Sequence, residues 1–320
     1  VKPISTAFII AVAIMVACTS PSPEPGPEAA REIRPMAANI IGNNVFFYYE
    51  NFEEAVTFYE ERLGLEVVAD YGFAKILRVA ETSFLTLVSG DTEMHSTDEP
   101  KAVAIALITE ELEEWYAYLV EHEVPLRGEL KVNPGGPHDG FVAYDPEGYY
   151  LEFERFNPHP ENEKLIPALA EVDSLYTDKG PPELGFQATV LWLYYDDLTA
   201  SQSFYENVMG FELMVDQGWA KIFPTSKSGF IGLVDGAKGM HKATRDKAVT
   251  VSFLTDDVDA WFTHMKLQEA LEAFDLRHQE VLDEGFVRVF VGYDPENYFL
   301  EFDQFVEHED NVDFLRVLAE

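Results

Sequence analysis

Two glutamates, Glu152 and Glu301, hold the same place in two copies of one motif and are the residues best suited to moving protons. Leu151-Glu-Phe153 returns as Leu300-Glu-Phe302. Alternate residues of a strand share a face, so Tyr150, Glu152, Glu154 and Phe156 point one way. Phe299, Glu301, Asp303 and Phe305 do the same in the second copy. A carboxylate lodged among aromatic rings is desolvated, its pKa rises, and it can give or take a proton near neutrality. The competing reading is an ordinary ion pair with a lysine such as Lys75 or Lys221. An earlier strand adds Asn44, Phe46 and Tyr48 in the first copy and Val190, Trp192 and Tyr194 in the second. Such faces suit a flat or cationic organic ligand, although the same rings would also fill a closed interior.

The histidines add less. His95 and His241 fall in equivalent loops, and His159 and His308 follow the last strand of each copy. Loop packing or helix capping accounts for them more simply than ligation. His122, His138, His264 and His278 have no counterpart in the other copy and read as surface. There is no phosphate-binding glycine loop, no Gly-x-Ser-x-Gly and no His-Glu-x-x-His.

These residues are positioned by a duplication. Phe58-Tyr-Glu60 returns as Phe204-Tyr-Glu206, and Asp70-Tyr-Gly-Phe-Ala-Lys-Ile76 as Asp216-Gln-Gly-Trp-Ala-Lys-Ile222, both 146 residues later. Tyr144-Asp-Pro-Glu147 returns as Tyr293-Asp-Pro-Glu296. Copy one runs over residues 39–172 and copy two over 186–320, with 173–185, which holds Lys-Gly-Pro-Pro, as the linker. Each copy splits again. A strand at 44–49 leads to a helix at 53–63 that stops at Gly64, and three strands follow. The order strand-helix-strand-strand-strand recurs four times. The expected class is α+β.

With Phe-Tyr-x3-(Leu/Met)-Gly after the first strand and Asp-Pro-Glu-x3-Leu-Glu at the last, the chain resembles the vicinal-oxygen-chelate superfamily, the glyoxalase, bleomycin-resistance and extradiol-dioxygenase type. The resemblance covers nearly everything after residue 40. It implies four βαβββ modules forming two tandem half-barrel domains, each with a ligand cleft and a short helix at its C-terminal end. Each copy is expected to make its own half-barrel and to fold alone. The family's metal ligands lie on the first and last strands of each module. Position by position this gives Asn44, Thr86, Ala104 and Glu152 in copy one, and Val190, Gly232, Thr250 and Glu301 in copy two. One strong donor per cleft does not chelate a transition metal, so no metal and no cofactor is expected. The ligand-facing set is then Asn44, Phe46, Tyr48, Thr86, Tyr150 and Glu154 in one cleft, and Trp192, Tyr194, Thr250, Phe299 and Asp303 in the other, with Glu152 and Glu301 as the candidate catalytic groups.

The N-terminal segment is read separately. Residues 4–17 are an apolar run too short to span a bilayer, and Met15-Val-Ala-Cys18 resembles a lipobox. Residues 1–17 are expected to be a lipoprotein signal peptide, and 18–38 a proline-rich tether beginning at Cys18, the only cysteine and the expected lipidation site. That places the protein at a bacterial cell envelope, on the periplasmic side if the cell is Gram-negative, with membrane contact through that lipid alone. With 58 acids against 22 bases and a net charge of −36, nucleic acid is not an expected partner. The acid excess is spread along the chain, as on a well-solvated surface or one adapted to salt. Three functions remain open: a metal-free binder of a small organic ligand, a metal-independent isomerase or lyase using Glu152 or Glu301, and a scaffold for protein contacts. A metal-dependent glyoxalase or dioxygenase fits the residues least.

Overall fold

The computed structural model describes residues 39–90 and 95–320; the expected signal segment, tether and Cys18 lie outside them. The first module consists of β1 (Ile40–Tyr49), α1 (Phe52–Thr57), β2 (Glu66–Asp70), β3 (Ala74–Ala80) and β4 (Ser83–Ser89). The second has β5 (Val103–Ile108), α2 (Leu112–Glu121), β6 (His138–Tyr144) and β7 (Tyr150–Phe156), then α3 (Leu165–Leu169). The third has β8 (Ala188–Tyr195), α4 (Leu198–Asn207), β9 (Val215–Asp216), β10 (Ala220–Pro224) and β11 (Gly229–Asp235). The fourth has β12 (Val249–Thr255), α5 (Val258–Ala270), β13 (Asp275–Leu276), β14 (Leu282–Asp283), β15 (Val287–Tyr293) and β16 (Phe299–Phe305), then α6 (Val312–Leu318). In the second module isolated bridges, Leu126 to Ala143 and Lys131 to Gly140, stand where its second strand was expected. Among the described residues no helix is long and apolar enough to cross a membrane.

Local sequence explains the elements. Leu112, Trp115 and Leu119 recur at helical spacing and are the buried stripe of α2. β5 and β8 are apolar on both faces and buried along their whole length. The helix expected over 53–63 is α1 followed by a wider π-type turn at Phe58–Arg62. Gly64 ends it with φ of +72°, and a Cβ there would lie 2.3 Å from Gly180 Cα. Glycine is needed at this position because the linker passes across it.

Fold class and module order are as expected, but the modules that share a sheet are not. One sheet runs β13-β15-β16-β12-β1-β4-β3-β2, with β14 beside β15, and the other runs β6-β7-β5-β8-β11-β10-β9. The first module therefore pairs with the fourth through β1 and β12, antiparallel from Asn43–Phe253 to Phe47–Val249. The second pairs with the third through β5 and β8, from Val103–Leu193 to Ile108–Ala188. Neither half-barrel belongs to one copy. The physical reason is that the first strand of each module leaves an open edge that another first strand must cover. Side-chain alternation fixes which face is buried but not which first strand arrives. The described residues accordingly form one compact unit.

The two copies meet about an internal pseudo-twofold axis. Thr82 N donates to Ser228 Oγ at 2.7 Å, and Ser228 N donates back to Thr82 Oγ1 at 2.9 Å. These are equivalent positions in the two copies, as in an isologous dimer interface. The recurring motifs, in contrast, bind modules within a copy. Tyr49 and Tyr59 donate to Asp145 Oδ2 at 2.6 and 3.0 Å, and Tyr195 and Tyr205 to Asp294 Oδ2 at 2.7 and 3.4 Å. The tyrosine of Phe-Tyr is thus a partner of the aspartate of Asp-Pro-Glu. Glu147 accepts from Asn51 N at 2.7 Å, and Glu296 from Asp196 N and Asp197 N at 2.7 and 2.6 Å, beside the starts of α1 and α4.

Candidate active site

The exchange of modules re-sorts the expected ligand-facing residues. Asn44, Phe46, Tyr48 and Thr86 join Thr250, Phe299, Glu301 and Asp303 in the first half-barrel; Tyr150, Glu152 and Glu154 join Trp192 and Tyr194 in the second. Trp192, expected beside Glu301, faces the strand system of Glu152 instead: Ala104 of β5 is its ladder partner, and Glu152 lies one strand further on.

The first half-barrel is filled, and most of its polar side chains bond to one another. Asn44 Nδ2 donates to Thr86 Oγ1 at 2.8 Å, Tyr48 OH and Thr250 Oγ1 are 2.8 Å apart, and Ser252 Oγ donates to Asp303 Oδ2 at 2.5 Å. Val287, Val289 and Val291 of β15 pack with Phe299 in a buried cluster. Burial, and then the charge of Asp303, drives the Glu301 carboxyl well above the ordinary range. Asp303 is itself pushed up to about 6 by burial. His95 lies against Tyr48 and Phe299, at ring distances of 4.9 and 5.6 Å.

The second half-barrel is open. A cavity of about 260 Å³ is lined by Arg127, His138, Glu152, Glu154, Trp192, Trp219 and their neighbours. It shares Arg127, His138, Glu152, Glu154 and Met240 with an outer basin of about 680 Å³. The difference between the half-barrels lies in β6 and β15, where His138 and Gly140 of the open one are replaced by Val287 and Val289 in the filled one. Gly232 of β11 matters too. A Cβ on it would meet the Trp192 ring at 2.0 Å, so glycine is what lets the indole lie flat along the wall.

Charges in this cleft are strongly perturbed. Burial first, then the neighbouring charge of Glu154, pushes Glu152 up to about 8, against the offsetting charges of His138 and Arg127. The His138 Nδ1–Glu154 Oε1 separation is 2.6 Å, and that pairing pushes His138 up to about 9. His241 lies 4.1 Å from the Tyr150 ring and 5.1 Å from that of Tyr194, and burial with the nearby Arg127 charge pushes it down to about 4. The alternative lysine pairings are not formed: Lys75 binds Asp70 and Lys221 binds Asp216.

Glu152, Glu154, Trp192 and Tyr194, expected from the sequence to face a ligand or carry chemistry, line this cleft together with neighbours that the sequence did not single out. His138 was expected at the surface, but antiparallel pairing of β6 with β7 brings it to Glu154. His95 and His241 were expected to be loop packing, yet each stands against aromatic residues of a half-barrel interior. Their retention in both copies was the usable signal. Trp219 on the β9–β10 turn and Arg127 before β6 came without one. His159 and His308 do cap their turns, accepting from Glu161 N and Asp310 N at 3.2 Å each.

The positions that the resemblance assigns to metal ligands do not fit a transition metal. In the open half-barrel they are Ala104, Glu152, Val190 and Gly232, one donor in four, and the Trp192 ring occupies the space beside Gly232. In the filled one Glu301 is the only carboxylate, and Asn44 and Thr86 are spent on each other. Among the described residues no group of three or more histidine, cysteine, aspartate or glutamate side chains could hold a metal ion.

Comparison with known proteins agrees with this architecture. Residues 43–153 match the family model described as the Glyoxalase/Bleomycin resistance protein/Dioxygenase superfamily. Among solved structures, a protein of Bacillus subtilis described as a candidate dioxygenase superposes with a TM-score of 0.63 at 14% identity, over 87% of this chain and 90% of that one. Glyoxalase I of Zea mays superposes with a TM-score of 0.58 at 15% identity, over 88% and 95%. At such identities the likeness is one of fold. No curated protein matches the chain. Residues 43–153 thus resemble the glyoxalase/bleomycin-resistance/dioxygenase superfamily, and the four modules build the tandem half-barrel fold that the chain shares with these structures.

Proposed function

We propose that the protein binds a small flat organic molecule in the cleft between the second and third modules, without a transition metal. The observation that carries this reading is the open cavity whose wall joins an indole laid flat over Gly232 to the Glu152, Glu154 and His138 cluster. Of the two ligand chemistries read from the sequence, the aromatic one is favoured over the cationic one. Arg127 has no carboxylate partner within ion-pair distance among the described residues, and His138 is pushed toward its charged form. Quinoline and N-methylquinolinium serve as flat probes. Calorimetric titration should show quinoline binding that survives a chelator, and Trp192→Ala should weaken it by about 1–3 kcal/mol, as for a buried aromatic anchor. Binding by neither probe, or binding indifferent to Trp192→Ala in a folded variant, rejects the cleft.

A second reading has its own support, since Glu152 near 8 can exchange a proton at neutral pH. In that case Glu152→Gln keeps affinity and loses turnover, whereas a binder shows no turnover to lose. Glu301, half-buried beside Asp303, lines neither part of the open cleft. We also propose that lipid on Cys18 holds the mature chain at the bacterial envelope, as the lipobox-like sequence suggests. A tagged fatty acid should label the wild type and not Cys18→Ala; equal labelling ends that reading.

A further inference from the structure

We propose that the ligand of the open cleft is a planar aromatic carboxylate, its ring against Trp192 and Trp219 and its carboxylate on the Arg127 guanidinium at the mouth. This rests on the ligand-binding reading above and narrows it to one chemical class. Arg127 is exposed and lines both the inner cavity and the outer basin. Its guanidinium carbon lies 5.5 Å from the centre of the Tyr150 ring, and the Tyr150 hydroxyl takes one of its hydrogen bonds. A guanidinium has several donors in a planar fork, so donors remain for a carboxylate. Trp192 and Trp219 line the inner cavity and give a flat ring two apolar neighbours.

The filled half-barrel supplies the internal control. Arg277 is the counterpart of Arg127: Arg277 N donates to Val291 O at 3.0 Å, as Arg127 N donates to Val142 O at 2.8 Å. Arg277 also lies over an aromatic ring, that of Tyr293 at 5.1 Å. It has an acid of its own, Asp275, two residues earlier and 3.3 Å away. The residue two before Arg127 is Pro125. The half-barrel that is filled neutralises its arginine, and the one that is open does not. The acids of the open cleft are already engaged. Glu154 lies 2.6 Å from His138, and Asp139 pairs with Arg155 at 3.0 Å. Burial holds Glu152 up to about 8, so it carries little charge at pH 7. Glu129 lines only the outer basin, in the company of Lys131. An entering carboxylate therefore meets an uncompensated guanidinium beside an apolar wall, where a charge-assisted pair is strong.

The test is calorimetric titration of the full chain at pH 7 with quinoline-3-carboxylate, quinoline-6-carboxylate and the two matching carboxamides, which share the ring and the shape but lack the charge. At least one carboxylate should bind about 10-fold or more tightly than its own carboxamide, the effect of a hydrogen-bonded ion pair. Arg127→Gln should bring that ratio to about one. Pro125→Asp should do the same, since it rebuilds the acid of the filled half-barrel at an exposed position outside the cavity lining. If neither carboxylate outbinds its carboxamide, or if the preference survives Arg127→Gln, the carboxylate assignment is overturned while a flat-ligand cleft stands. If none of the four binds, both fall. Should Arg127→Gln not fold, the wild-type ratio and Pro125→Asp decide the matter.

Discussion

Expressed alone, residues 36–173 and residues 184–320 should each fail to give a cooperatively folding monomer, and expressing them together should restore a soluble complex. Cutting between the copies leaves β1 without β12 and β5 without β8, so all four strands present bare edges. β5 and β8 are buried on both faces, which makes those edges apolar and prone to pair with another chain. The reciprocal Thr82–Ser228 contacts are lost as well, as are the bonds from Tyr149 OH to Ala248 O at 2.6 Å and from Tyr298 OH to Ala102 O at 2.8 Å. The tyrosine–aspartate networks stay within each copy but join modules that then have no sheet partner. The intact protein should melt in a single calorimetric transition. Size-exclusion chromatography with denaturant titration of each half is the measurement. Two monomeric, cooperatively unfolding halves would contradict the seams between β1 and β12 and between β5 and β8. This reverses the expectation drawn from the sequence repeat, in which each copy is its own folding unit.

The repeat made module number, element order and the buried face of each strand legible, because these follow from local alternation and from motifs such as Asp-Pro-Glu. It could not reveal which first strand meets which, since β1, β5, β8 and β12 carry similar patterns. That ambiguity propagated to the site. Glu152, Glu154, Trp192 and Tyr194, expected to be catalytic or ligand-facing, all line the second half-barrel, yet Trp192 was expected beside Glu301, its neighbour by sequence copy. The partner in space, Glu152, comes from the other copy. His138 was out of reach for a related reason: its role depends on the register of β6 against β7, where Gly140 lies opposite Glu154. The closure of the first half-barrel was half visible. Val287 stands where His138 does in the other copy, a substitution that alternation alone reads as one more core valine.

Stability should fall as the pH rises from 6.5 toward 9. Glu152 is held up to about 8 and Glu301 well above the usual carboxylate range, burial being the first cause in both. The folded protein keeps these protons after the unfolded chain has released its own, so the unfolded state binds fewer protons and raising the pH favours unfolding. His138, pushed up to about 9 by its pairing with Glu154, acts with the same sign: its stabilisation is complete below about 6.5 and is lost through about 9. Asp145, Asp294 and Asp303, each held up to about 6, contribute a decline that is largely over by neutrality. His241, pushed down to about 4, and the lowered His95 and His278 act oppositely, costing stability as the pH falls below 6.5. Salt-bridged carboxylates such as Asp70 and Asp216 are ionised in both states above pH 6 and add no slope there. Between pH 6.5 and 8 the loss from Glu152 is about 2 kcal/mol, at roughly 1.4 kcal/mol per pH unit. Urea titrations at pH 6.5, 7.5 and 8.5 would measure it. Glu152→Gln should remove that part of the slope and leave the variant more stable than the wild type at pH 8.5, and Glu301→Gln should act in the same direction. A wild-type midpoint that holds or rises across this range, or a Glu152→Gln variant with an unchanged slope, would mean that Glu152 is solvated and ionised rather than held neutral in the wall of the cleft.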